Sequence, residues 1–94
     1  MPFLEWLDAL DPMTKDLVYE RLEKVKIGYF GDYKNLSKGV FELRFHLGSG
    51  YRIYFGLDGK DLVLLLCGGD KTTQSKDIKK AQLFLEDYKN AKKS

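Results

Sequence analysis

The sequence predicts an α+β fold: two helices, then three antiparallel strands, then a last helix. Two observations carry this. Apolar residues recur at helical spacing up to about residue 26 and again from about residue 73, and between those segments the period switches to two. Glycine-bearing turns punctuate the period-two runs, as hairpins require. Two N-terminal helices packed on a small antiparallel sheet, with a C-terminal helix, fit within one domain spanning 1–94.

Each element has its own signal. Over 3–10, Phe3, Leu7 and Leu10 share one face, with Trp6 beside them, which predicts a short helix. Asp11 can cap a second helix, and Pro12 suits its first turn. That helix runs to about Lys26, with Leu17, Val18, Leu22 and Val25 as its buried face and Gly28 placed to stop it. The stretch "GYFGDYKNLSKG" (28–39) reads as a loop.

In "VFELRFHL" (40–47), Phe41, Leu43, Phe45 and Leu47 point one way, while Glu42, Arg44 and His46 point the other. "GSG" (48–50) is a three-residue turn, and "YRIYFGL" resumes the alternation with Arg52 and Tyr54 on the polar side. Pairing Leu47 with Tyr51 sets His46 opposite Arg52 and Arg44 opposite Tyr54. Glu42, Arg44, His46, Arg52 and Tyr54 then share one polar sheet face. Asp58-Gly59 signals a further tight turn, and "LVLLLC" (62–67) is apolar enough for a strand buried on both faces. The last helix, about 73–90, buries Ile78, Ala81, Leu85 and Tyr88, with Phe84 alongside.

Composition narrows the function classes. No apolar run approaches the roughly 20 residues that span a bilayer. The opening "MPFLEWLDAL" carries acids where a signal peptide needs lysine or arginine, so a cytoplasmic protein is expected. The single cysteine, Cys67, ends the most apolar segment and reads as packing rather than as a nucleophile. Charge is unevenly spread: net −3 over 1–32, +2 over 33–69 and +3 over 70–94. The later part could present a basic face to a polyanion, with Lys34, Lys38, Lys76, Lys79 and Lys80 as RNA-binding candidates; a solvated lysine-rich helix is the plainer reading.

"LVLLLCGGDKTTQSKDIKKA" (62–81) has the outline of a phosphate-binding loop, but its spacing excludes one. A Walker loop needs four residues between its first glycine and the Gly-Lys pair. Here Gly68 and Gly69 are adjacent, and Asp70 stands before Lys71. The Thr-Thr-x-Ser run fits helix capping instead. One histidine and one cysteine make no metal site, and no cofactor is expected. The sheet-face cluster has the groups that metal-free RNA cleavage needs: a base, a proton donor and cations for the developing charge. A sheet face laced with charge pairs such as Glu42–Arg44 is the structural alternative.

Three stretches, "GYFGDYK" (28–34), "GVFELRFHLGSGYRIYF" (39–55) and "LLLCGGDKTTQSKDIKKA" (64–81), resemble in order and spacing the RelE/ParE toxin superfamily, specifically its HigB-like "addiction module killer protein" branch. The resemblance implies a small curved antiparallel sheet carrying two N-terminal helices. It implies a bacterial toxin silenced by an antitoxin from the adjacent gene, often a helix-turn-helix protein. RelE-type and HigB-type members cleave mRNA on the translating ribosome; ParE-type members inhibit DNA gyrase; a toxin-derived protein without activity is a third possibility. By this resemblance Arg52 would contact the scissile phosphate, with Arg44 and Lys71 serving the same site. Glu42 stands where RelE has a lysine, and RelE's C-terminal tyrosine has no counterpart, which leaves His46, Tyr54, Asp70 and Gln74 as candidates for proton transfer or base contact. Relatives usually begin with a strand before the first helix, whereas this chain starts at "MPFLEW". The expected result is a bare sheet edge, covered by a second copy or by the antitoxin.

Overall fold

A computed structural model describes residues 2–58 and 62–93. Helices α1 (Pro2–Asp8) and α2 (Pro12–Lys26) lead into strands β1 (Tyr33–Asn35), β2 (Val40–Arg44), β3 (Arg52–Asp58) and β4 (Leu62–Gly69). A 3-10 turn (Lys71–Thr73) then opens the long helix α3 (Gln74–Lys93). The strands form one antiparallel sheet in the order β1-β2-β3-β4, so β1 and β4 are its edges. The architecture is the α+β arrangement that the sequence periods predict, with one strand more. The Asp58-Gly59 turn lies outside the described residues.

Helix α2 begins where Asp11 caps it: the Asp11 carboxylate accepts from the Thr14 amide at 3.1 Å and from its hydroxyl at 2.6 Å. Phe3, Leu7, Val18 and Val25 of these helices pack on Leu43, Phe45, Ile53 and Phe55 of the sheet. Leu17 is a correction: it is 41% exposed, turned away from this core. Arg21, unremarked in the sequence, anchors α2 to its surroundings. Its guanidinium donates to the carbonyls of Phe30 (2.8 Å), Asp32 (2.8 Å) and Arg44 (2.6 Å) and lies 4.8 Å from the Phe45 ring centre.

The other face of the sheet belongs to α3. Ala81 and Leu85 pack on Val40, Tyr54, Leu66 and Cys67, with Ile78 and Phe84 half-buried beside them. Tyr88 is also only half-buried. Strand β4 is covered from both sides, by α1 and by α3, as its continuous apolar run anticipates. Its terminal glycines are where the two helices press closest. A Cβ on Gly68 would sit 2.2 Å from the Trp6 ring of α1, and one on Gly69 would sit 1.8 Å from the Asp77 carboxylate of α3. The pair that mimics a phosphate loop is therefore a packing notch.

Two details of the sheet differ from the expectation. The loop expected over 28–39 contains β1, which pairs Tyr33 with Leu43 and Asn35 with Phe41. All three of its residues are exposed, so it carries no alternating signal. The hairpin register also differs: Arg44 pairs with Arg52 and Glu42 with Tyr54, and the Phe45 amide donates to the Tyr51 carbonyl. Gly48 (φ 56°) and Gly50 (φ 76°) widen the turn to residues 46–50, moving the pairing by two residues. A shift of two preserves every side chain's face, so the polar set stays together. His46 alone leaves the ladder.

Candidate functional site

Helix α3 divides the polar face in two. Over its middle it buries Glu42 and Tyr54 completely. At the end of the sheet, beyond the first turn of α3, Arg44 and Arg52 border an open groove of about 750 Å³. Its lining includes Arg44 from β2, Arg52 from β3, Lys71 from the β4–α3 junction, and His46, Ser49 and Tyr51 from the intervening turn. Four of the sequence candidates for the site thus meet on one surface: Arg44, His46, Arg52 and Lys71.

Tyr54 and Gln74 lie behind it. The Tyr54 side chain is fully buried beneath α3, beside the Glu42 carboxylate. Burial, followed by the charge of Glu42, pushes its ionisation well above the ordinary tyrosine range. Gln74, in the first turn of α3, turns inward and donates to Glu42 Oε2 at 2.9 Å. Lys34, Lys38, Lys76, Lys79 and Lys80 are all exposed, and none lines the groove.

Glu42 is the hub. Its carboxylate is 0% exposed yet meets three side chains. Arg44 Nε donates to Oε1 at 2.9 Å, Gln74 Nε2 donates to Oε2 at 2.9 Å, and Arg52 Nε stands 3.6 Å from Oε2. Burial opposes its ionisation, but the bonds from Arg44 and Gln74 outweigh that, and its carboxyl sits below the usual range. One buried anion therefore fixes the spacing of two cations at the groove wall. Arg52 is held again from the turn, by a 3.1 Å bond from Nη1 to the Gly50 carbonyl.

Lys71 is placed by capping. Asp70 is the N-cap of the 3-10 turn: Oδ1 accepts from the Thr72 amide at 2.9 Å and its hydroxyl at 2.6 Å, and Thr73 Oγ1 returns a contact to the Asp70 amide. The Lys71 amide donates to the Ser49 carbonyl at 3.4 Å, tying this junction to the 46–50 turn. Thr73 also reaches the buried Asp77, seated over Gly69. Asp70, a candidate for proton transfer, is thus engaged in capping, and its hydrogen bonds from Thr72 hold its carboxyl low. At the opposite rim the exposed His46 ring bonds Asp32, whose backbone is pinned by Arg21.

Such a wall can hold a phosphodiester. Three cations face one open surface, and two of them are pre-oriented by buried partners. Cys67 stands apart: burial, then the charge of Asp77, pushes its thiol up to about 12, so it is no nucleophile. The sequence reading missed Arg21 and the inward role of Gln74. The capping residue Asp70, four residues before Gln74, was its nearest sequence signal.

Comparison with known proteins adds a lineage. Residues 5–89 match the family described as "Phage derived protein Gp49-like (DUF891)". A Haemophilus influenzae protein described as "Uncharacterized protein" is 43% identical over 88 residues, covering 93% of this chain and 89% of that protein. No solved structure gives a significant match. With the whole Glu42–Arg44–Arg52–Lys71 scaffold inside the matched segment, the chain belongs to the Gp49-like family of phage-derived proteins, a RelE/ParE-like toxin family.

Proposed function

We propose that this protein is the toxin of a bacterial addiction module, of the HigB-like kind, and that it cleaves mRNA on the translating ribosome without a metal. The carrying observation is the convergence of Arg44, Arg52 and Lys71 on one groove, two of them braced by a buried carboxylate. In the reaction a ribose 2′-oxygen bonds to the adjacent phosphorus as the bond to the 5′-oxygen breaks. The 2′-hydroxyl proton leaves to a base, and a proton reaches the departing 5′-oxygen. Arg44 and Arg52 hold the phosphate and stabilise charge on its free oxygens, with Lys71 beside them. His46, exposed at the rim and oriented by Asp32, is the group placed to move a proton.

An antitoxin from the neighbouring gene, a helix-turn-helix protein, would silence the site, and the pair would act in the cytoplasm as a single-domain toxin with its inhibitor. Primer extension on translated mRNA tests the activity. Lys71 is exposed, so Lys71→Ala keeps the fold, and Arg44→Ala removes a phosphate donor. Each is expected to slow cutting on the order of 10²–10³-fold. Toxicity with intact mRNA and blocked DNA supercoiling would instead indicate gyrase inhibition. Harmless expression without the neighbour would indicate an inactive relative.

A further inference from the structure

A second depression, of about 250 Å³, lies beside α2 and shares the segment Arg44–Leu47 with the groove. A chain laid along the groove past Arg44 runs directly into it. Its character is different. The exposed Leu17 supplies the apolar wall, Phe45 lies buried at the floor with Arg21 over its ring, and Glu20, Lys24 and Asp32 stand around them. Leu17 is the residue whose helical position predicts burial but whose side chain is 41% exposed. Glu20 and Lys24 are solvent-facing, 4.0 Å apart at successive turns of α2.

This is poor chemistry for a second phosphate: Glu20 and Asp32 stand at the walls, Lys24 is paired with Glu20, Arg21 is engaged by backbone carbonyls, and Arg44 is held by Glu42 at the groove. It suits an unstacked nucleobase: apolar surface for the ring, and hydrogen-bonding groups for its edge. The size fits one ring system, since it falls below the roughly 300–1,000 Å³ of pockets that enclose drug-sized molecules. A carboxylate reads an exocyclic amino group, as Glu and Asp do with cytosine.

Building on the nuclease reading above, we propose that this depression is a base subsite. It takes the unstacked base next to the phosphate at Arg44 and Arg52, with its ring against Leu17 and its amino edge at Glu20. The site thereby sets which sequences are cut.

Two measurements test it with the full-length protein, Leu17→Asp and Glu20→Gln. Both positions are exposed, and circular dichroism verifies folding. The first maps cut sites in translated mRNA. The second follows binding of short 2′-O-methyl oligoribonucleotides that differ at one base. Wild type is expected to prefer an amino-bearing base beside the cut, and both variants to lose about tenfold of that preference. Lys71→Ala should slow all sites alike. Cutting by wild type with the same base preference in both variants overturns the subsite and leaves the nuclease reading intact. No cutting, but base-selective binding that both variants lose, overturns the nuclease reading and keeps the subsite. Neither cutting nor selective binding overturns both. Unchanged base preference with weakened antitoxin binding assigns the depression to a protein partner and also overturns the subsite.

Discussion

Replacing Glu42 with alanine should damage this protein out of proportion to the small carboxymethyl group it removes. The carboxylate is wholly buried and meets Arg44 and Gln74 at 2.9 Å each and Arg52 at 3.6 Å. Breaking a buried ion pair from one side costs about 3–5 kcal/mol, because the partner charge stays behind. Arg52 is that partner, with a side chain only 14% exposed; Arg44, at 33%, can turn partly to water. The lower end, about 3 kcal/mol, is therefore expected. At about 4–8 °C per kcal/mol for a chain of this size, Tm should fall by about 12–24 °C. Glu42→Gln keeps the shape and one acceptor oxygen and should cost about half as much. Thermal melts by circular dichroism, with urea titration for the free energy, measure both. A double-mutant cycle with Gln74→Leu should show coupling of about 0.5–3 kcal/mol. If Glu42→Ala melts within a few degrees of wild type, the carboxylate does not hold the arginines, and the account of the groove wall is wrong.

Other outcomes follow from the same geometry. The folded Glu42 carboxyl ionises more readily than the unfolded one, so the folded state binds fewer protons and stability rises with pH in that window. This contribution is complete above the unfolded value of about 4.3 and is lost as pH falls through the folded one; Glu42→Gln should flatten the acid limb of urea midpoints measured against pH. Asp11 and Asp70 act with the same sign, so a residual slope should remain. Gly68→Ala drives a methyl into the Trp6 ring and should cost about 1–3 kcal/mol by urea unfolding, and less when Trp6→Ala removes the obstacle. Cys67, buried with its thiol pushed up to about 12, should resist a thiol-reactive dye in the native protein and react at once in denaturant.

The helices and the facing of the strands were legible because they rest on local periodicity. Asp11 capping α2 and the Phe41–Leu43–Phe45 alternation are each visible within a few residues. The hairpin register was not, because it depends on how Gly48 and Gly50 use positive φ, and several turn lengths fit the same letters. Strand β1 was hidden for a different reason: an exposed three-residue edge strand has no buried face to mark it. Among site residues, the grouping of Arg44 with Arg52 followed from parity alone. The place of Lys71 beside them required the tertiary link between Ser49 and the start of α3. Tyr54 and Gln74 looked available because sequence does not reveal that α3 lies over half of the polar face. Leu17 looked like core because helical spacing cannot distinguish a buried stripe from its margin.

The notch in β4 has a practical consequence. Trp6, drawn against Gly68, is the chain's single tryptophan, and its ring lies edge-on to Tyr51 with centroids 6.2 Å apart. Tyr51 also lines the groove. Nature has thus wired one intrinsic fluorophore to the rim of the cationic surface, and its emission offers an unlabelled optical readout of whatever occupies that surface.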